Sequence, residues 1–165
     1  MASPYRPLAF ANEFIVMAQP SGVEHMKLQK LVYYTYGWWI AYHPSSIISE
    51  PPQVWKFGPV FLSLYHALKN HGRTPITTVQ SDYPFQPSPR VDSDDADARQ
   101  LVQWVWQKYG SYSSFELSDM THAPGTPWQR IAERHNWVIQ PNTPIPDDML
   151  RDSFRALAKE MGLPA

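Results

Sequence analysis

Residues 26–60 read MKLQKLVYYTYGWWIAYHPSSIISEPPQVWKFGPV, and the first half of that stretch decides the architecture. Leu28, Leu31, Val32, Thr35, Trp39 and Tyr42 recur at helical spacing, and Tyr33, Tyr36 and Ile40 make a second stripe beside them. A helix that is apolar on nearly every side is surrounded by protein. Lys27, Gln29 and Lys30 gather in its first turns, so the pattern predicts a central helix with one solvated end. From Gln53 to Val60 the helical period breaks and the chain reaches Gly58-Pro59, which marks a short extended segment turning sharply into another helix.

Upstream, Pro7 stands at a first helical position with Phe10, Phe14 and Met17 recurring behind it, up to a stop at Pro20. Ser21 and Glu24 have capping-box spacing and are expected to open the central helix, which must end before His43-Pro44. Downstream, Val54 to Phe57 is expected to pair with Ile76 to Val79 as a small β-hairpin. The helix between them has Pro59 near its start, Phe61, Leu64, Tyr65 and Leu68 on one face, and Gly72 as its cap. Ser81 to Asp92, with Pro84, Pro87 and Pro89, has no period and reads as a surface loop.

Ser93 followed by Asp94, Asp95 and Asp97 reads as a cap and then acids at the positive end of a helix, whose buried face is Ala98, Leu101, Val102, Val105 and Tyr109. Ser113 and Glu116 form a second capping box before a short helix of Phe115, Leu117 and Met120. Thr126-Pro127 opens another helix, and the last one lines up Leu150, Phe154, Leu157 and Met161 before Gly162. The expected fold is mainly α: a single compact helical domain over residues 1–165, with about seven helices around the central aromatic helix and a small β-hairpin.

Composition narrows the function classes. Aromatic residues make up 14 % of the 165 and charged residues 18 %, below the usual figure of about 25 %, which favours a packed core over disorder. Net charge is −1 with no Lys/Arg run, so a phosphate-neutralising face, and with it a nucleic-acid partner, is not expected. Cysteine is absent, which excludes disulfides and thiolate chemistry and fits a cytoplasmic protein. The start MASPYRPLAFANEF lacks the signal-peptide pattern, and no stretch approaches the roughly 20 apolar residues of a membrane helix.

The histidines offer no H-x-x-x-H spacing and the glycines no phosphate-cradling loop, so neither a metal nor a cofactor is expected. Ser118, Asp119 and His122 lie close in sequence, but no nucleophile elbow frames a serine. Asp119 with His122 is as well explained by capping at a helix end, which leaves a small hydrolase as an alternative reading. Trp38, Trp39, Trp55, Trp104, Trp106, Trp128 and Trp137 are too many to bury fully in one small domain. Exposed Trp and Tyr with Arg are the residue types that anchor protein partners.

Three separated blocks then form a pattern: KLQKLVYYTYGWWIAYH at 27–43, VWKFGPV at 54–60 with LYHALKNHG at 64–72, and KYGSYSSFELSDMTHAPGTPW at 108–128. In this order and with these gaps they resemble the Panacea domain family of SocA-like antitoxins, which includes phage-associated GepA-type proteins. The resemblance implies a non-enzymatic protein that neutralises a cognate toxin by direct binding, and one branch of the family acts as a proteolytic adaptor delivering its toxin to ClpXP. The expected partner-binding surface comprises Lys27, Lys30, Trp55, Lys56, Phe57, Gly58 and Pro59. Polar residues interrupt a buried block there, and an aromatic beside lysine suits a partner anchor. A DNA-binding autorepressor is a further alternative, disfavoured by the missing basic stripe. Homo-oligomerisation is left open.

Overall fold

The computed structural model describes residues 4–164. Among them seven α-helices form: α1 (Pro7–Ala18), α2 (His25–Tyr42), α3 (Leu62–Leu68), α4 (Ala96–Tyr109), α5 (Ser114–Thr121), α6 (Pro127–Arg134) and α7 (Asp147–Glu160). A two-stranded antiparallel sheet, β1 (Gln53–Trp55) and β2 (Gly58–Val60), and a 3-10 turn (Lys69–His71) complete the regular structure. No helix among the described residues is long and apolar enough to cross a membrane.

The aromatic helix is central, as its pattern dictates. Every residue of α2 from Leu28 to Trp38 is buried, and α1, α3, α4, α5, α7 and β2 pack around it. The helix stops at Tyr42 because His43, preceding Pro44, is held extended. Its most extensive packing is against α7, across Gly37: a Cβ built there would lie 2.1 Å from the Phe154 ring. Phe154 thus fits into a notch in α2, where it meets Tyr33 and Trp38 edge to face with ring centroids 5.9 and 5.2 Å apart. Tyr34 stacks on Tyr109 at 3.8 Å, which brings the end of α4 onto the same helix.

The capping signals divide. Ser113 and Glu116 form the expected reciprocal box, and Thr126 accepts from the Gln129 N–H ahead of Pro127. The Ser21–Glu24 box does not form. Val23 and Ile76 exchange both backbone hydrogen bonds (3.0 and 2.9 Å), which holds the chain extended up to Glu24, so the S-x-x-E register lies outside the helix. At α4 the cap is Asp95, accepting from the Ala98 N–H, and not Ser93.

The hairpin exists with a different partner. Val54 pairs with Pro59 and Trp55 with Gly58, so β1 closes on the residues directly after it and not on Ile76–Val79. A two-residue connection makes that pairing local, whereas Ile76 is already engaged by Val23. Pro59 therefore lies in a strand, and the helix after it starts only at Leu62. The other edge of β1 is covered by the segment before α7, with Val54 N donating to Thr143 O (2.9 Å) and Ile145 N to Pro52 O (2.8 Å).

The proline-rich loop at 81–92 is tied down from beneath. Asn12, fully buried on α1, donates to Gln80 O and Pro89 O and accepts from Gln80 N. Glu13, also buried, accepts from Arg90, Arg99 and the Val91 N–H. Burial raises the Glu13 pKa, but these donors outweigh it and hold the carboxyl below its ordinary value.

Candidate partner-binding site

The residues singled out in the sequence separate into a buried support and an exposed tip. Lys30 is fully buried, and its Nζ donates to Pro59 O at 2.8 Å. Gln29, also buried, accepts from Phe61 N (2.9 Å) and donates to Phe61 O (3.3 Å). The expected solvated end of α2 is thereby corrected: Gln29 and Lys30 point inward, and Lys27 is half-buried. The reason is the backbone of Gly58–Phe61, whose groups lie against helices where water cannot reach them and need partners. Burial alone pushes the Lys30 amine down to about 7.

His25 lies one turn earlier. Gln29 spends its carbonyl on Phe61 N, so its amide N–H groups face Phe61 O and His25 Nε2, the latter at 3.0 Å. His25 must then accept, which requires the neutral ring, and burial with the nearby Lys30 and His71 charges pushes its pKa down to about 4. Lys27 faces elsewhere, donating to Gly110 O at 2.5 Å with its ammonium 5.6 Å above the Trp106 ring.

Above this support the hairpin turn is pinned on three sides. Ser118 Oγ donates to Phe57 O (2.6 Å), Trp128 Nε1 donates to Trp55 O (2.6 Å), and the Trp55 ring packs 4.8 Å from Tyr65. Gly58 has φ +116, and a Cβ there would lie 3.0 Å from Lys30 Nζ and Thr121 Oγ1. Only glycine fits that turn. Of the seven expected residues, Gly58, Pro59 and Lys30 are buried, Lys27 and Trp55 half-buried, and Lys56 and Phe57 exposed. The structure thus brings Lys30, Gly58 and Pro59 together as scaffold and leaves Lys56-Phe57 as the projecting tip.

That tip borders an apolar cleft of about 470 Å³ whose floor includes Met26, Val60 and Tyr65. Its far wall is the start of α5, where Phe115 is 69 % exposed, beside Phe57 at 58 %. The sequence placed Phe115, Leu117 and Met120 together in this short helix without assigning their faces. Phe115 and Leu117 are separated by two positions, which point apart on a helix, and Leu117 takes the core side. Arg73 was missed altogether, since nothing in a lone arginine after Gly72 marks it; its guanidinium lies 5.6 Å above the Phe115 ring.

The hydrolase residues are arranged otherwise than a triad needs. Ser118 is committed to Phe57 O, Asp119 is exposed, and no hydrogen bond joins Asp119 to His122 among the described residues. Nor do three His, Asp or Glu side chains among them gather closely enough for a metal ion. Trp137 is the exposed tryptophan, bordering a second cleft on the other side of the hairpin with Trp55 and Trp128.

Residues 28–129 match the family described as antitoxin SocA-like, Panacea domain. The chain is similar to the protein named antitoxin SocA of Caulobacter vibrioides (strain NA1000 / CB15N), 25 % identical over 148 residues that cover 86 % of this chain and 77 % of that protein. No solved structure matches.

Proposed function

Because the chain belongs to the SocA-like antitoxin family that carries the Panacea domain, we propose that it neutralises a cognate toxin by direct protein–protein binding, as one non-enzymatic domain in the cytoplasm. The surface we assign to this is the hairpin tip with the cleft beside it. The observation that carries the assignment is the fixed presentation of Lys56 and Phe57: the turn's backbone is pinned on either side of Lys56, by Trp128 at Trp55 O and by Ser118 at Phe57 O, while the Lys56 and Phe57 side chains stay in solvent. A preorganised aromatic next to a charge loses little entropy on binding, which is how a small patch supplies most of an interface's free energy. Of the residues expected at the surface, Lys30, Gly58 and Pro59 serve by holding the tip, and Trp55 contributes its half-exposed ring.

The test is co-expression with the product of the adjacent open reading frame. Growth rescue and co-purification are expected with the wild type and are expected to weaken with Lys56→Glu plus Phe57→Ala. Full toxicity in the presence of the wild-type chain would refute the reading. An adaptor role toward ClpXP is a finer proposal within it: the toxin's half-life in cells should lengthen when that protease is deleted, whereas simple sequestration predicts no change.

A further inference from the structure

We propose that the cleft between the hairpin tip and α5 receives an acidic–apolar segment of the toxin, a large apolar side chain entering between Phe57 and Phe115 while neighbouring carboxylates pair with Lys56 and Arg73. This rests on the antitoxin reading and names the chemistry of the partner's contact.

Two aromatic rings and two cations border the same cleft, in matched pairs: Lys56 Nζ lies 5.3 Å above Phe57 and Arg73 lies 5.6 Å above Phe115. Exposed Phe is costly to leave in water, and two facing one cleft mark a surface that another molecule covers. The volume, about 470 Å³, lies toward the small end of ligand sites, suited to one or two side chains more than to a whole helix.

The charges decide what kind of segment fits. Arg6, Arg90, Arg99 and Arg151 all have carboxylate partners. Lys56 and Arg73, like several other surface cations among the described residues, have neither an ion pair nor a hydrogen bond from the side chain; what sets these two apart is that both line this cleft, each over an exposed phenylalanine. The one carboxylate lining the cleft, Glu24, accepts from Ser114 Oγ at 3.1 Å. The side chains lining the cleft thus bring two cations, Lys56 and Arg73, against this single carboxylate, which stands at the N-cap of α2. In a chain of net charge −1 this is a locally positive, apolar slot. A partner that brought only apolar groups would leave two cations half-desolvated, and one that brought only acids would leave the rings exposed.

The experiment uses the full chain with the photo-crosslinker benzoylphenylalanine in place of Phe115, co-expressed with the adjacent gene product. Irradiation is expected to join it to a toxin segment containing Asp or Glu near a large apolar residue. Arg73→Glu is expected to weaken toxin binding about tenfold or more, and reversing the mapped acid to Arg in the toxin should restore it. Circular dichroism confirms that each variant, altered only at exposed positions, stays folded. A complex that forms and rescues growth yet gives no crosslink, or that ignores Arg73→Glu, overturns this inference and leaves the antitoxin reading standing. A crosslink between two copies of this chain overturns it in favour of self-association. Failure of the wild type to rescue removes both.

Discussion

Lys30 carries the sharpest consequence at the scale of single residues. An amine whose pKa falls from 10.5 unfolded to about 7 folded is protonated in the unfolded chain and neutral in the native one between those values. The unfolded state then binds more protons, so stability rises with pH across that window and is flat below it. Linkage puts the gain at about 2 kcal/mol from pH 7 to pH 9. Urea unfolding should show this rise in the wild type and its loss in Lys30→Met, and equal slopes would count against the buried amine. The measurement stays below pH 10, because burial raises Tyr5 and Tyr109 to about 12, and stability from such groups is lost on the alkaline side. Gly58 is the companion case. Its φ of +116 is essentially glycine territory and its missing Cβ makes room for Lys30 Nζ. Gly58→Ala should lower stability by about 2 kcal/mol or more in the same assay, through strain together with crowding.

Between elements, the contact that sets the packing of α7 on α2 is an absence of atoms. A mid-helix Gly→Ala change ordinarily stabilises by about 1 kcal/mol through helix propensity. At Gly37 the new methyl would meet the Phe154 ring at 2.1 Å, and overpacking of a full core costs about 1–3 kcal/mol, so steric cost wins. Gly37→Ala should therefore destabilise, and pairing it with Phe154→Leu should recover part of the loss. A raised urea midpoint in the single variant would contradict the notch. The hairpin teaches the complementary lesson. Its strands are only three residues each, too short to stand alone, and it persists because Gln29, Lys30, Ser118, Trp128 and the 143–145 segment each supply a hydrogen bond to its backbone or to Phe61 just beyond.

Across the whole molecule, the loop at 81–92 acts as a strap joining α1 to α4. Its clamp is Glu13, whose carboxylate serves Arg90, Arg99 and the Val91 N–H at once. Glu13→Gln removes the charge while keeping the shape, and should leave Arg90 accessible, with trypsin cutting after it several-fold faster. An unchanged cleavage rate would show that Asn12 holds the strap unaided. Because the folded pKa of Glu13 is depressed, its stabilisation is present above the ordinary carboxylate range and lost as pH falls through it. Acid unfolding of the wild type should accordingly be steeper than that of Glu13→Gln.

Sequence by itself determined the helices and the centre of the fold. Periods of apolar residues, Pro7, His43-Pro44, Thr126-Pro127 and the Ser113–Glu116 box act within a turn or two of their own positions, so they are legible without a third dimension. The block pattern at 27–128 likewise carried the family. The tertiary structure decided which way the polar residues of α2 face, since Lys30 and Gln29 turn inward only because β2 and Phe61 bring unpaired backbone groups against them. It also decided the strand partner, because Ile76 is claimed by Val23 from far away in the chain. The cleft is legible least of all. Phe57, Arg73 and Phe115 come from separate segments, and nothing local in any of them records that folding sets their rings and cations around one opening.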